Sequence, residues 1–302
     1  MIGELQTPKP QIAIVKEQHT SLRQSVQLLE PFTFAPDKAI SFRIYPDNRP
    51  KNMEIANLQK GLVLVTDGTE LIEEGAGFGV PIAKYSGTTF FSRSANVFLK
   101  QQGDNDAVIT KVFLLDSISR KQVHGAFIND NAYAMIHKTF ERAYLHRENM
   151  RPFFDWVMRL RKTLGIETHF TKVTPKGKVV VTYHCYFDHI KVHVDFSAME
   201  LTGCQEILIL NEQGATFFRE HRNNKGIVLN DRKIGAWTRV DAEQAEFSDI
   251  KRQVAFSMKK RKEAVLYCGW EQVKDRFSWA GMTYALNPKM AHFSYEIKIS
   301  RG

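Results

Sequence analysis

The stretch Gly61–Ser94, GLVLVTDGTELIEEGAGFGVPIAKYSGTTFFSRS, points to a β-rich fold. Leu62, Val63, Leu64 and Val65 form a short apolar run that ends at Thr66-Asp67-Gly68-Thr69. Asp and Gly tolerate the positive φ of a tight turn, so this segment predicts a β-hairpin. Ser86-Gly87 turns the chain again, between Ile82-Ala83-Lys84-Tyr85 and Thr88-Thr89-Phe90-Phe91. Between the hairpins lies Glu73-Glu74-Gly75-Ala76-Gly77-Phe78-Gly79-Val80-Pro81, which composition predicts to be a glycine-rich loop.

The same texture extends in both directions. Residues 1–37 are punctuated by Pro8, Pro10, Pro31 and Pro36, with Gln11–Val15 the one candidate edge strand. Ala39–Tyr45 alternates as a strand, and Val97–Gln101 and Ala107–Leu115 flank the turn Gly103-Asp104-Asn105. Around Asn129 the period changes. Asn129-Asp130-Asn131 offers N-cap residues, Pro152 suits the first turn of a second helix, and Gly165 stops it. Phe153, Trp156, Val157, Leu160 and Leu164 share one helical face, so a buried helical pair is expected over residues 130–164.

From Thr168 onward the strand pattern returns. In Ile190–Phe196 the apolar residues Ile190, Val192, Val194 and Phe196 alternate with Lys191, His193 and Asp195. Gln213-Gly214 and Asn230-Asp231-Arg232 mark further hairpin turns, and Phe277–Leu286 and Phe293–Ile299 close the chain. The expected architecture is predominantly β: a large two-sheet antiparallel β-sandwich with the helical pair inserted mid-sequence. The corresponding segments are an N-terminal β-rich half (1–128), the helical pair (129–165) and a C-terminal β-rich half (166–302), with one continuous sandwich domain as the alternative division.

Composition narrows the function classes. The 302 residues carry a net charge of +9 and an apolar fraction of 43%, values of a globular protein that prefers anionic partners. There is no run of about 18 apolar residues and no basic-then-apolar leader, so neither a membrane nor a secretory route is expected. Cys185, Cys204 and Cys268 are widely spaced and odd in number, which disfavours a disulfide framework and fits a reducing, cytoplasmic compartment.

Three constellations carry candidate chemistry. In the loop, Glu73 or Glu74 is the candidate general base, with Phe78 covering a ligand and Lys84 beside it. In Thr216-Phe217-Phe218-Arg219-Glu220-His221-Arg222, read as a strand, Arg219 and His221 share a face, so Arg219 with Arg93 would clamp an anion while His221 acts as the acid. His193 and Asp195, two apart on a strand, supply two metal ligands about 7 Å apart, with His184 or His221 needed as a third; the incomplete set predicts no structural metal. GAGFG lacks the Lys-Ser/Thr of a phosphate loop, so no cofactor is implied. The basic run Lys259–Lys262 lacks interleaved aromatics, which disfavours nucleic acid.

Large sandwiches of this kind often handle carbohydrate. The expected partner is therefore a small-molecule ligand, an anionic or neutral sugar, and the expected chemistry is proton transfer at a sugar carbon, of the epimerase or lyase type. This expectation rests on fold analogy. The alternative is a non-enzymatic binding or assembly module that presents its basic surface to an acidic protein or nucleic acid.

Overall fold

The computed structural model describes residues 25–37, 39–46, 59–73, 75–86, 88–92, 94–115, 118–123, 156, 159–160, 163, 167–172, 174–226, 228–230, 235–249, 251, 253–273 and 277–301. The strands of the first half are β1 (Val26–Leu28), β2 (Phe32–Phe34), β3 (Ile40–Ile44), β4 (Val63–Thr66), β5 (Thr69–Glu70), β6 (Gly77–Tyr85), β7 (Thr88–Phe91), β8 (Ser94–Gln102) and β9 (Ala107–Leu114). Next come β10 (Ile118–Val123), β11 (Glu167–Lys172), β12 (Lys178–Cys185), β13 (His189–Asp195), β14 (Cys204–Gln213), β15 (Glu220–Asn223) and β16 (Val228–Asn230). The last six are β17 (Gly235–Arg239), β18 (Gln244–Asp249), β19 (Val254–Lys259), β20 (Ala264–Val273), β21 (Phe277–Leu286) and β22 (His292–Arg301).

The protein is predominantly β, with several antiparallel sheets. The chain divides into two compact units, residues 1–117 with 174–302, and residues 118–173. The first unit holds a ten-stranded sheet of order β1-β8-β9-β12-β13-β22-β19-β18-β15-β16, a six-stranded sheet of order β17-β20-β21-β14-β6-β7, and a four-stranded sheet β2-β3-β4-β5. In the second unit β10 and β11 form an antiparallel pair. Among the described residues the strands form these four sheets.

The helical pair expected over 130–164 lies almost wholly outside the described residues. Trp156, Arg159, Leu160 and Thr163 have helical backbone, and the Thr163 hydroxyl donates to Arg159 O at 3.1 Å, but no complete helix is delineated among the described residues. Trp156 is 56% exposed, which overturns its place on a fully buried face.

Local chemistry explains the tight hairpins. Asp67 (φ 48°) and Gly68 (φ 74°) both occupy the left-handed region, which lets Thr66 pair directly with Thr69. The expected hairpins β6–β7, across Ser86-Gly87, and β8–β9, across Gly103-Asp104-Asn105, also form, whereas two others fail. Gln213-Gly214 does not return β14 on itself, because β14 runs between β21 and β6 and the chain then turns through Ala215–Phe217 into β15. Across Asn230, β16 pairs back onto β15 whereas β17 joins β20 in the other large sheet. β14 and β17 thus pair with strands that do not adjoin them in sequence, and non-local pairing overrides the turn signal.

The segment taken as a loop is mostly strand. β6 begins at Gly77, and its glycines serve packing rather than ligand approach. Gly79 has φ +80°, and a Cβ there would come within 2.8 Å of the Tyr183 ring. That proximity joins the two large sheets. Tyr183 on β12 donates its hydroxyl to Phe78 O at 2.9 Å. Asn211 on β14 accepts from Gly79 N at 3.1 Å and from the Tyr295 hydroxyl of β22 at 2.7 Å, and its own amide donates to Ile209 O. Phe78, expected over a ligand, is fully buried and meets Phe256 of the ten-stranded sheet edge-on at 5.2 Å.

A buried cation ties in the four-stranded sheet. Lys111 on β9 is fully buried, and its ammonium donates to Tyr45 O at 2.7 Å and Lys60 O at 2.6 Å, at the two chain ends that flank β3 and β4.

The bulge at Gly79 gives a direct test. Gly79→Ala adds a methyl against the Tyr183 ring at positive φ and is expected to destabilise by about 3 kcal/mol or more. Tyr183→Phe removes the hydroxyl donor to Phe78 O, which still accepts from Leu62 N, and is expected to cost about 0.5–1.5 kcal/mol. Urea denaturation of both variants measures this; two wild-type midpoints would show that the contact carries little stability.

Candidate functional site

Alternation along three neighbouring strands builds a polar cleft on the outer face of the ten-stranded sheet. β12, β13 and β22 turn Val181, Tyr183, Val192, Val194, Phe293, Tyr295 and Ile297 into the core. Their alternate residues therefore line the opposite face in cross-strand rows. One row is Thr182–His193–Ser294 and the next is His184–Lys191–Glu296. A cleft of about 490 Å³ lies over these rows, lined also by Arg261 from the turn after β19.

The ring nitrogens of this cleft are fixed by neighbours. His193 Nδ1 lies 2.8 Å from Ser294 Oγ, which leaves Nε2 as the nitrogen available to a ligand. The His193 ring stacks on His292 with centroids 5.7 Å apart, and His292 Nδ1 is 3.4 Å from Asp195 Oδ1. Ser197 N donates to the same Asp195 oxygen at 2.8 Å. Burial opposes ionisation of Asp195, yet the hydrogen bonds from Ser197 and the nearby His292 and His193 hold its carboxyl below the usual range. Half-buried His184 is driven the other way, first by desolvation and then by Lys191, His193 and Lys100, so its pKa falls and the neutral imidazole is favoured. The cleft thus combines a neutral imidazole, a carboxylate and two fixed cations, Lys191 and Arg261.

Of the two candidate metal ligands, His193 lines this cleft and Asp195 does not. Among the described residues no group of three or more His, Cys, Asp or Glu side chains is placed to hold a metal ion.

The site residues expected from sequence are scattered. Glu73 accepts a hydrogen bond from the Ser278 hydroxyl, and its carbonyl lies 3.5 Å from Lys60 Nζ. Glu74 and Arg93 lie outside the described residues. Lys84 pairs with Glu206 at 2.7 Å on the strand β6–β14. Arg219 is exposed and its Nε donates to Thr216 O at 3.0 Å. His221 does not share its face: it points into the core, 4% exposed, against Phe247 at 5.0 Å. The segment before it is a turn rather than a strand, so the alternation that paired Arg219 with His221 starts at the wrong residue.

Sequence reasoning also passed over Glu212. Its side chain is buried beside the glycine-rich segment and accepts from Ala76 N at 3.0 Å. Desolvation raises its pKa to about 7; the Ala76 hydrogen bond opposes the rise and Glu271 adds to it. The signal lay in ILILNEQ, residues 207–213, where three consecutive amide or carboxyl side chains end an apolar strand.

Two pH effects follow from these burials. The Glu212 pKa is raised on folding, so its contribution to stability is full below about pH 4.5 and is lost as pH rises toward 7. Glu212→Gln is therefore expected to melt above wild type at pH 8 and level with it at pH 5. His221 has both ring nitrogens buried without a hydrogen-bond partner among the described residues, and burial depresses its pKa. Its contribution is full above about pH 6.5 and is lost as pH falls. His221→Phe is expected to gain stability relative to wild type progressively below pH 6.5. Thermal melts from pH 5 to 8 decide both, and parallel curves for wild type and variant would refute either assignment.

No protein-family model matches the chain, and no curated protein matches it. Among solved structures the chain is similar to HI1317, with a TM-score of 0.35 and 10% identity over 97% of this chain and 99% of that one. It is likewise similar to the Slr1438 protein of Synechocystis sp. PCC 6803, with a TM-score of 0.37 and 8% identity over 95% and 100% of the two chains.

Proposed function

We propose that the cleft over β12, β13 and β22 binds an anionic or neutral sugar and transfers a proton at a sugar carbon. The observation that carries this reading is the convergence of His184, Lys191, His193, Arg261, Ser294 and Glu296 on one cleft of about 490 Å³. Proton transfer at carbon needs a base and an acid in reach of one ligand, and cations to hold an anionic substituent. In this proposal His193, with Nδ1 engaged by Ser294, is the base through Nε2. Glu296, one row away on the adjacent strand, exchanges the second proton, while Lys191 and Arg261 hold the anionic group. The roles first sought in Glu73, Glu74 and His221 pass to these residues, because His221 faces the core and Glu73 is engaged by Ser278.

We read the ten- and six-stranded sheets as the two layers of a sandwich, a reading supported by the Phe78–Phe256 and Tyr284–Tyr295 contacts between them. A reducing, cytoplasmic setting goes with it, supported by three free cysteines, of which Cys185 and Cys268 are buried.

Glucose and galacturonic acid serve as neutral and anionic probes. Wild type is expected to bind at least one of them by calorimetry and to exchange a carbon-bound hydrogen with D2O. His193→Gln keeps the ring's approximate size and removes its proton acceptor; exchange is expected to fall by about a hundredfold or more with affinity little changed. Absence of sugar binding, together with salt-sensitive binding to a nucleic acid or an acidic protein, would overturn the proposal in favour of a binding module.

A further inference from the structure

The cleft does not end at the His184–Lys191 row. Cys185 pairs with Ile190, and Tyr186 N donates to His189 O at 2.9 Å, closing the β12–β13 hairpin. By alternation Tyr186 and His189 continue the outer face that carries His184 and Lys191, one step of about 7 Å further along. Their rings stack, with centroids 4.4 Å apart and planes 13° from parallel. Asp188 Oδ1 lies 2.6 Å from His189 Nδ1, which fixes that ring and leaves Nε2 for an outside partner. Lys191 Nζ lies 5.5 Å from the centre of the Tyr186 ring and so joins the cleft to the stack. The turn residue between them, Phe187, is 58% exposed; only Leu29 and Trp156 are comparable among the large apolar side chains described.

An exposed phenylalanine beside a fixed aromatic pair, continuous with a polar cleft, is a surface of apolar faces edged by polar atoms. That is the chemistry that takes one face of a sugar ring, whose C–H groups pack on aromatic carbon while its hydroxyls reach nitrogen and oxygen. We propose that the tip of the β12–β13 hairpin is an aromatic subsite for a second sugar unit, so that the ligand of the cleft is a disaccharide or a longer chain. The inference rests on the carbohydrate reading of the cleft. Its spacing fits, since the aromatic stack lies about the length of one sugar unit beyond the His184–Lys191 row.

The test compares two pairs of probes by calorimetry, glucose with cellobiose and galacturonic acid with digalacturonic acid. In wild type the disaccharide of at least one pair is expected to bind about tenfold tighter than its monosaccharide, the gain of roughly one ring stack. Phe187→Ala and Tyr186→Ala are expected to remove that gain and to leave monosaccharide affinity unchanged. Because Phe187 is exposed, Phe187→Ala leaves the core intact. Equal affinity for mono- and disaccharide in wild type, or equal losses for both in the variants, would overturn the subsite while sparing the cleft. Binding of no probe would overturn the cleft reading and the subsite together.

Discussion

The Asn211 side chain is the constraint on which the larger unit depends. It sits at the irregularity where β14 passes from Leu210–Val80 to Asn211–Phe78 and skips Gly79. A skipped residue leaves a backbone N–H without a ladder partner, and a buried orphan donor is costly. Asn211 Oδ1 accepts that N–H and also the Tyr295 hydroxyl from the opposite sheet. The bulge in one sheet is therefore satisfied by the same atom that registers it on the other. Tyr183 completes the joint from above Gly79, where only hydrogen fits. A polar network of this kind sets the register of two apolar faces, which hydrophobic burial alone leaves free to slide.

That registration also frees the opposite face of the sheet. Tyr183, Val192 and Tyr295 are committed to the core, so His184, Lys191, His193, Ser294 and Glu296 are committed to the outside. The strand period makes the two commitments inseparable: a one-residue slip of β13 would exchange His193 for Val192 and dismantle core and cleft at once. Apart from Arg261, its side chains stand on the central strands of a ten-stranded sheet, a more rigid support than the loop that composition favoured.

Burial separates the titratable groups by role. The imidazoles of the cleft meet hydroxyl, carboxylate and ammonium neighbours, an environment in which a proton has somewhere to go. His221 meets Phe247 and has no hydrogen-bond partner on either ring nitrogen among the described residues, so it is a core side chain that carries a latent charge. Glu212 lies between these extremes, buried and bonded to a single backbone N–H. Two histidines of equal appearance in sequence thus differ because one strand begins its alternation a residue away from where composition suggested.

The amino-acid sequence by itself determined the β class, the tight turn at Asp67-Gly68 and the inward and outward faces of Ile190–Phe196, because turn chemistry and the strand period are local properties. It also marked His193 and Asp195 as incomplete metal ligands, with His184 or His221 as the third. Only the tertiary structure decided which strands pair, since β14 and β17, beside the turn signals Gln213-Gly214 and Asn230-Asp231, find partners elsewhere in the chain. It alone showed that Gly77 and Gly79 accommodate packed backbone and the Tyr183 ring, and that Glu296 and Ser294, about a hundred residues from His193, complete its cleft. Pairing across such distances is set by which apolar faces bury each other, a property of the whole core that no local window contains.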